Sequence, residues 1–423
     1  MRWMLRFVDE VAVSERRVTL LRRSLGLFGL VLVAVTWRLW TPQSVFPQVP
    51  VFAMAGQWPG WIQWLGLAGM VGGLTGVLAA PAGRLTTGSL VLFATSTAGM
   101  IALDQMRLQP WAYQYVLMAV VLAVAEPRGA FALMRLLVVG FYFHSALTKL
   151  DYSFLHTLGQ QFLASLAGIG GLSVDGWSEP ARLAAAGVFP VGELLVAVAL
   201  LFGRTRRIGL AGAVLLHLVL LVILGPWGLD HQPGVLVWSL AFIAQDVLLF
   251  WFVPSRKTAE EPTPATTPAA WPASAMIGAA IVLPFLEPTS WWDMWPSWGL
   301  YAASAQRVTL EVHRLQQEQL SGPIGDWLEV PENPSDPWLT VRLDRWALDV
   351  LGAPIYPQSR VQLGVARGVA ERFGLGNRVR VIRFDQAARF TGTRRYAVFH
   401  GLAQCEAAGD EYWLNTRPRR NLR

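Results

Sequence analysis

A chain of 423 residues with 15% charged and 53% hydrophobic residues is not a soluble domain. Soluble domains carry about 25% charged residues, and the mean hydropathy of +0.39 points to the bilayer. The net charge of +7 fits basic loops on one side of a membrane and argues against nucleic acid, because no basic patch interleaves with a soluble aromatic platform. The single cysteine, Cys405, excludes an intrachain disulfide, a CxxC pair and a thiolate metal cluster.

The first apolar run ends in Trp37, Arg38 and Trp40, where a signal peptide would need small residues, so it reads as a retained span. A helix crosses a bilayer in roughly 17–25 apolar residues. The candidates in chain order are 24–40, 61–80, 87–103, 111–125, 130–149, 183–203, 207–225, 234–253 and 272–288. The fourth is short, and Pro284 weakens the ninth. Loop charges alternate. Arg16, Arg17, Arg22 and Arg23, then Arg84, Arg128, Arg204, Arg206, Arg207, Arg256 and Lys257 mark one side, and the intervening loops are poor in Lys and Arg. The positive-inside rule then places the N-terminus in the cytoplasm and the region after residue 289 outside, in a multi-pass inner-membrane protein.

The expected fold is an all-α polytopic membrane bundle of about nine transmembrane helices, followed by a small extracytoplasmic α+β domain. Its parts are a cytoplasmic N-terminal segment (1–23), an eight-span bundle (24–254), a Pro/Thr-rich cytoplasmic linker (255–271), the ninth span (272–288) and the outer domain with a basic, disordered tail (289–423). In that domain, SWWDMWPSWGLY (290–301) reads as an interfacial aromatic belt, and RVTLEVH (307–313) and RVRVIRF (378–384) alternate as strands. The stretches 314–330 and 360–374 read as short amphipathic helices, the second capped by Gly374.

Ionisable residues within spans cost about 3 kcal/mol at the helix centre, so they face a cavity or a partner. His144 and Lys149 fall near the outer end of the fifth span, Glu193 and His217 at mid-depth of the next two, and Asp246 toward the cytoplasmic end of the eighth. Lys149 either snorkels to the interface or acts from a buried position. His217 is a packing histidine or a cavity group, and Asp246 can pair with Arg206 or Arg207. Two histidines and a glutamate on three helices lack metal-motif spacing, so no metal is expected. The loop LDQMRLQPWAYQYV brings Asp104, Gln105, Arg107, Trp111 and Tyr115 to an outer edge. They form either an ordinary interfacial loop or a substrate-binding rim for a polar headgroup or quinone ring.

FYFHSALTKLDYSFL (141–155) resembles a tyrosine…lysine-leucine-aspartate segment of the horizontally transferred transmembrane domain, the membrane part of vitamin K-dependent γ-carboxylases. GELLVAVALLFGRTRRIGLAGAVLLHLVLLVILG (192–225) is similar to that family's next two spans, and the layout resembles DoxX- and MauE-like quinone-associated membrane proteins and a bacterial branch of such relatives. The resemblance covers roughly residues 20–255. It implies a membrane quinone as cofactor or substrate, Lys149 as the base toward the reduced quinone, His144 beside it as a tuning or relay group, and Glu193 and His217 lining the cavity. The family often has two consecutive lysines, but Thr148 precedes Lys149, and the outer domain shows no propeptide-binding region. Glutamate carboxylation is therefore not expected. The alternative is a non-catalytic scaffold that anchors an outer domain for an envelope protein partner.

Overall fold

The structure, a computed structural model, describes residues 15–251, 270–320, 322 and 324–419. The expected linker at 255–271 lies almost wholly outside the described residues, as do residues 1–14 of the N-terminal segment. Among the described residues, eight helices are long and apolar enough to cross a membrane. In chain order the long helices are α1 (Glu15–Val35), α2 (Trp61–Ala79), α3 (Arg84–Leu103), α4 (Pro110–Val124) and α5 (Pro127–Lys149). After the shorter α6 (Leu158–Ile169) come α7 (Glu179–Leu201), α8 (Arg206–Leu224), α9 (Pro233–Phe250) and α10 (Trp271–Val282). The short fourth candidate is α4, an apolar helix of 15 residues. At the last span the α-helix stops at Val282 and continues as a 3-10 helix over Leu283–Thr289. Pro284 and Pro288 explain the change, since neither can donate an i→i−4 bond. Five of the described helices carry proline in their first turn, where its missing N–H costs nothing.

The first helix begins nine residues earlier than expected. Its arginines are helical residues, and arginine is a good helix former. Helix α6 was not expected at all. Asp151 starts the segment that leads to it, accepting from the Phe154 N–H at 2.6 Å to cap the short turn Tyr152–His156.

The chain divides into two compact units, and neither is continuous in sequence. The first comprises Met1–Val35, Gly69–Thr95 and Pro110–Ala303, and its described residues form helices and no strand. Within it α5 is central. It packs on α7, α10, α4 and α9, and 72% of its span is buried, against 28–44% for the other seven candidate spans. Small residues permit close approach, as membrane helix pairs require. A Cβ on Gly73 would lie 2.7 Å from the Phe93 backbone, and one on Gly209 would lie 2.7 Å from that of Leu200. A satellite core of Phe154, Phe162, Ile223 and Leu224 fixes α6 against α8. The aromatic stretch 290–301 only partly behaves as a belt. Trp291 is exposed, but Trp298 is fully buried, donates to the Ala280 carbonyl and contacts Tyr113 and Phe141.

The second unit comprises Thr36–Ala68, Ser96–Gln109 and Ser304–Arg423. Its antiparallel sheet has the order β2-β3-β1-β4-β5, with β1 Arg307–His313, β2 Leu328–Glu329, β3 Trp338–Val341, β4 Val379–Phe384 and β5 Tyr396–His400. Both expected strands are β1 and β4, and they pair directly. Val308, Leu310 and Val312 alternate inward on β1, as do Val379 and Val381 on β4. Three helices complete the unit: α11 (Leu343–Leu351), α12 (Ser359–Arg372) and α13 (Gly401–Gly409).

Three expectations change here. Residues 314–330 form two short 3-10 turns and strand β2, not an amphipathic helix. Helix α12 is buried nearly all round. The sheet covers one side, and its glycines admit neighbours on the other. A Cβ on Gly364 would meet the Thr416 carbonyl at 2.6 Å, and one on Gly368 would meet Pro47 at 2.6 Å. The tail is held through residue 419. Thr416 is buried, the Asn415 side chain donates to the Pro50 carbonyl, and Arg419 donates to the Trp58 carbonyl.

Candidate functional site

Tyr142, Ser145 and Lys149 follow one another on α5 at i, i+3 and i+7, which places them on one stripe of the helix. Lys149 is 6% exposed and does not snorkel. Its Nζ donates to Glu193 Oε2 on α7 at 2.8 Å, to Ser145 Oγ at 2.6 Å and to the Ser145 carbonyl at 3.2 Å. Ser145 Oγ donates to the other Glu193 oxygen at 2.9 Å. All three ammonium protons and both carboxylate oxygens are therefore engaged. Glu193 follows Pro190 within α7, where the helix lacks the backbone donor to the Ala186 carbonyl.

Seven residues before Lys149, the Tyr142 hydroxyl donates to Asp246 Oδ2 on α9 at 2.5 Å. Its single proton is then committed, so its oxygen accepts from His217 Nε2 on α8 at 2.9 Å. The His217 ring stacks on Phe242 at 4.9 Å. His217 Nδ1 and Asp246 Oδ1 have no hydrogen-bond partner among the described residues. Asp246 is fully buried beside Tyr142 rather than paired with Arg206 or Arg207. The two clusters are electrostatic neighbours: His217 feels the Lys149 charge, and Tyr142 feels that of Glu193. Phe141, Trp238 and Phe242 wall the region, and the Trp238 indole donates to Gln114, which in turn donates to Gln245.

Three of the expected site residues thus converge, namely Lys149, Glu193 and His217. His144 does not join them. Its Nε2 donates to the Ile281 carbonyl at 2.8 Å, and its ring lies edge-on to Phe285. Tyr142 was missed because it sits in the apolar run FYF. Its position seven residues before Lys149 is the signal that marks it.

None of the five residues of the expected rim is exposed. Asp104, Gln105 and Arg107 are buried in the second unit, and Trp111 and Tyr115 are buried in the first, stacked edge to face at 5.9 Å. Asp104 caps the turn Gln105–Arg107 by accepting from the Met106 N–H, and it also accepts from Val49 N–H. Arg107 donates to the carbonyls of Leu39 and Thr41 and to Gln63. Gln105 bonds to the carbonyls of Pro50 and Asn415 and accepts from Arg360. These polar groups satisfy the backbone of irregular segments, which accounts for their density in sequence. Burial lifts Asp104 above its ordinary value, with the nearby Arg107 charge opposing. Burial also lowers Arg107 to about 10, with Asp104 opposing.

Among the described residues no group of three or more His, Cys, Asp or Glu side chains is placed to hold a metal ion. Residues 127–227 match the family described as methylamine utilisation protein MauE. This segment is MauE-like. It contains α5 to α8 and with them Tyr142, Ser145, Lys149, Glu193 and His217, while Asp246 on α9 lies beyond it. Comparison with curated proteins and with solved structures finds no match. The MauE-like segment and the eight apolar helices make this a multi-pass membrane protein in contact with lipid.

Proposed function

We propose that the protein handles a lipid-soluble acid such as a reduced quinone at an intramembrane proton-exchange site centred on Lys149. The observation that carries this reading is the stripe of α5, which presents a Lys–Ser–Glu cluster and a Tyr–His–Asp cluster side by side inside a helical bundle. Buried charges of this kind are costly and mark functional sites in membranes. Proton transfer along the 2.8 Å bond turns the ammonium–carboxylate pair into an amine and a carboxylic acid. The amine then accepts a proton from a quinol hydroxyl, leaving the quinolate and restoring the ammonium. The resemblance to the carboxylase membrane domain supports the same role for Lys149. His217 and Asp246, each with an unpartnered polar atom, supply further proton acceptors. His144, bonded to the Ile281 carbonyl, takes part in neither hydrogen-bonded cluster.

The second reading is a scaffold. It is favoured by the mutual satisfaction of Lys149 and Glu193, which suits interhelical glue. In both readings the N-terminus is cytoplasmic and the sheet-bearing unit is extracytoplasmic, presented to an envelope partner. A periplasmic reporter fused after residue 300 tests that orientation and must be active.

The test of function begins with protein purified in mild detergent. Mass spectrometry identifies copurifying quinone, and added quinol is followed by its absorbance. The wild type is expected to shift quinol toward the quinolate spectrum, and Lys149→Ala is expected not to. A folded Lys149→Ala variant that produces the full shift defeats the base assignment. Protein that carries no quinone and binds none favours the scaffold.

A further inference from the structure

The Tyr–His–Asp cluster draws one side chain from each of α5, α8 and α9, and all three are buried, Tyr142 and Asp246 completely. Its hydrogen bonds run in one direction. Tyr142 commits its only proton to Asp246 Oδ2, so the proton of the His217–Tyr142 bond sits on Nε2. A neutral imidazole carries one ring proton, which leaves His217 Nδ1 bare and basic.

The cluster differs from its neighbour in how it ends. Around Lys149 every ammonium proton and both carboxylate oxygens are engaged. Here the interior bonds are made, at 2.9 and 2.5 Å, while the terminal acceptors, His217 Nδ1 and Asp246 Oδ1, have no hydrogen-bond partner among the described residues. Interhelical glue alone favours satisfied groups, because a buried acceptor without a donor is costly. Three titratable groups in series, with a bare basic nitrogen at one end and a carboxylate at the other, suit the passage of a proton. The nearest charges are those of Lys149, felt by His217, and Glu193, felt by Tyr142.

We propose that His217, Tyr142 and Asp246 form a proton relay that begins at His217 Nδ1 and ends on Asp246. A proton binds Nδ1. The Nε2–H bond breaks as its proton joins the Tyr142 oxygen, and the Tyr142 O–H bond breaks as its proton joins Asp246 Oδ2. Imidazole and phenol finish neutral, the carboxylate becomes a carboxylic acid, and no electron leaves any group. Both hydrogen bonds then point the other way, so the relay takes no second proton until Asp246 releases the first. His217 and Asp246 thus act as one acceptor rather than two, and Tyr142 is the link between them. The relay rests on the proton-exchange reading for its supply, the lipid-soluble acid being the donor to Nδ1.

The test needs no quinol. Protons are released by a flash from a nitrobenzyl-caged acid into the full chain in mild detergent, and time-resolved infrared spectroscopy follows the carboxylic acid C=O stretch. In the wild type a band is expected to rise that Asp246→Asn lacks. Tyr142→Phe and His217→Gln are each expected to slow that rise about a hundredfold. Should these two variants not fold, the wild type in D2O decides, since two protons move between heavy atoms and the rise must slow. A flash that raises no Asp246 band, a Tyr142→Phe or His217→Gln variant that matches the wild-type rate, or equal rates in D2O and H2O overturns the relay. Each of these leaves the base assignment of Lys149 standing, because that assignment falls only with the quinolate shift of Lys149→Ala.

Discussion

Glu193→Gln keeps the shape of the site and removes its negative charge. Lys149 then keeps hydrogen-bond acceptors but loses its countercharge at a position 6% exposed. At 2.8 Å the gross attraction between the two charges is about 6 kcal/mol for an effective dielectric near 20. The desolvation penalty of two buried ions is of the same order, so the pair as a whole contributes little net stability. Losing one partner is different, because it strands a buried charge at a cost of about 3–5 kcal/mol. The expectation is therefore asymmetric. Glu193→Gln and Lys149→Met each destabilise by that amount, and the double variant recovers most of it. The assay is unfolding in mixed detergent micelles, run as a double-mutant cycle on wild type, both singles and the double. A coupling energy near 0.6 kcal/mol, the average for polar contacts between membrane helices, would refute the reasoning.

Tyr142→Phe removes the hydroxyl that links His217 to Asp246 and leaves two buried polar groups without it, so the same unfolding assay should register a loss of about 1–3 kcal/mol. Burial raises Asp104, so its folded form holds a proton more readily than its unfolded form. Its contribution is present below the ordinary value of 3.8 and is lost as pH rises through the higher folded value. Asp104→Asn should flatten the stability profile of the sheet-bearing unit in that window, which chemical unfolding at stepped pH measures. Burial pushes the Cys405 thiol up to about 11, so only about one thiol in a thousand ionises at pH 8. Alkylation at that pH should be slow in native protein and fast after denaturation, as mass spectrometry of the modified peptide would report.

The bundle was legible because hydropathy and loop charge are local signals. Each span announces itself within twenty residues, and strands β1 and β4 show their alternation within seven. What the sequence concealed is non-local. The density of polar groups at Asp104–Arg107 looked like a recognition surface, yet it serves carbonyls of residues 39, 41, 50 and 415 that no window of sequence brings near. Lys149 at a helix end looked free to snorkel until α7 placed Glu193 beside it. Tyr142 was hidden by its own apolar neighbours, and His144 stood out only because it is polar. Helix α12 read as amphipathic because Arg360, Gln362 and Arg367 resemble a solvated face, whereas all three are buried.

The scattered make-up of the sheet-bearing unit bears on how the protein is built. Val49 and Gln105 emerge from the ribosome in the first quarter of synthesis, yet their neighbours include Gly364, Arg360 and Asn415 near the end. The early connections between spans must therefore remain uncovered through the insertion of every later helix. A chain cut after the last span would keep its membrane helices and expose these apolar and charged groups together. It should be recognised by quality-control proteases, even though every transmembrane segment is present.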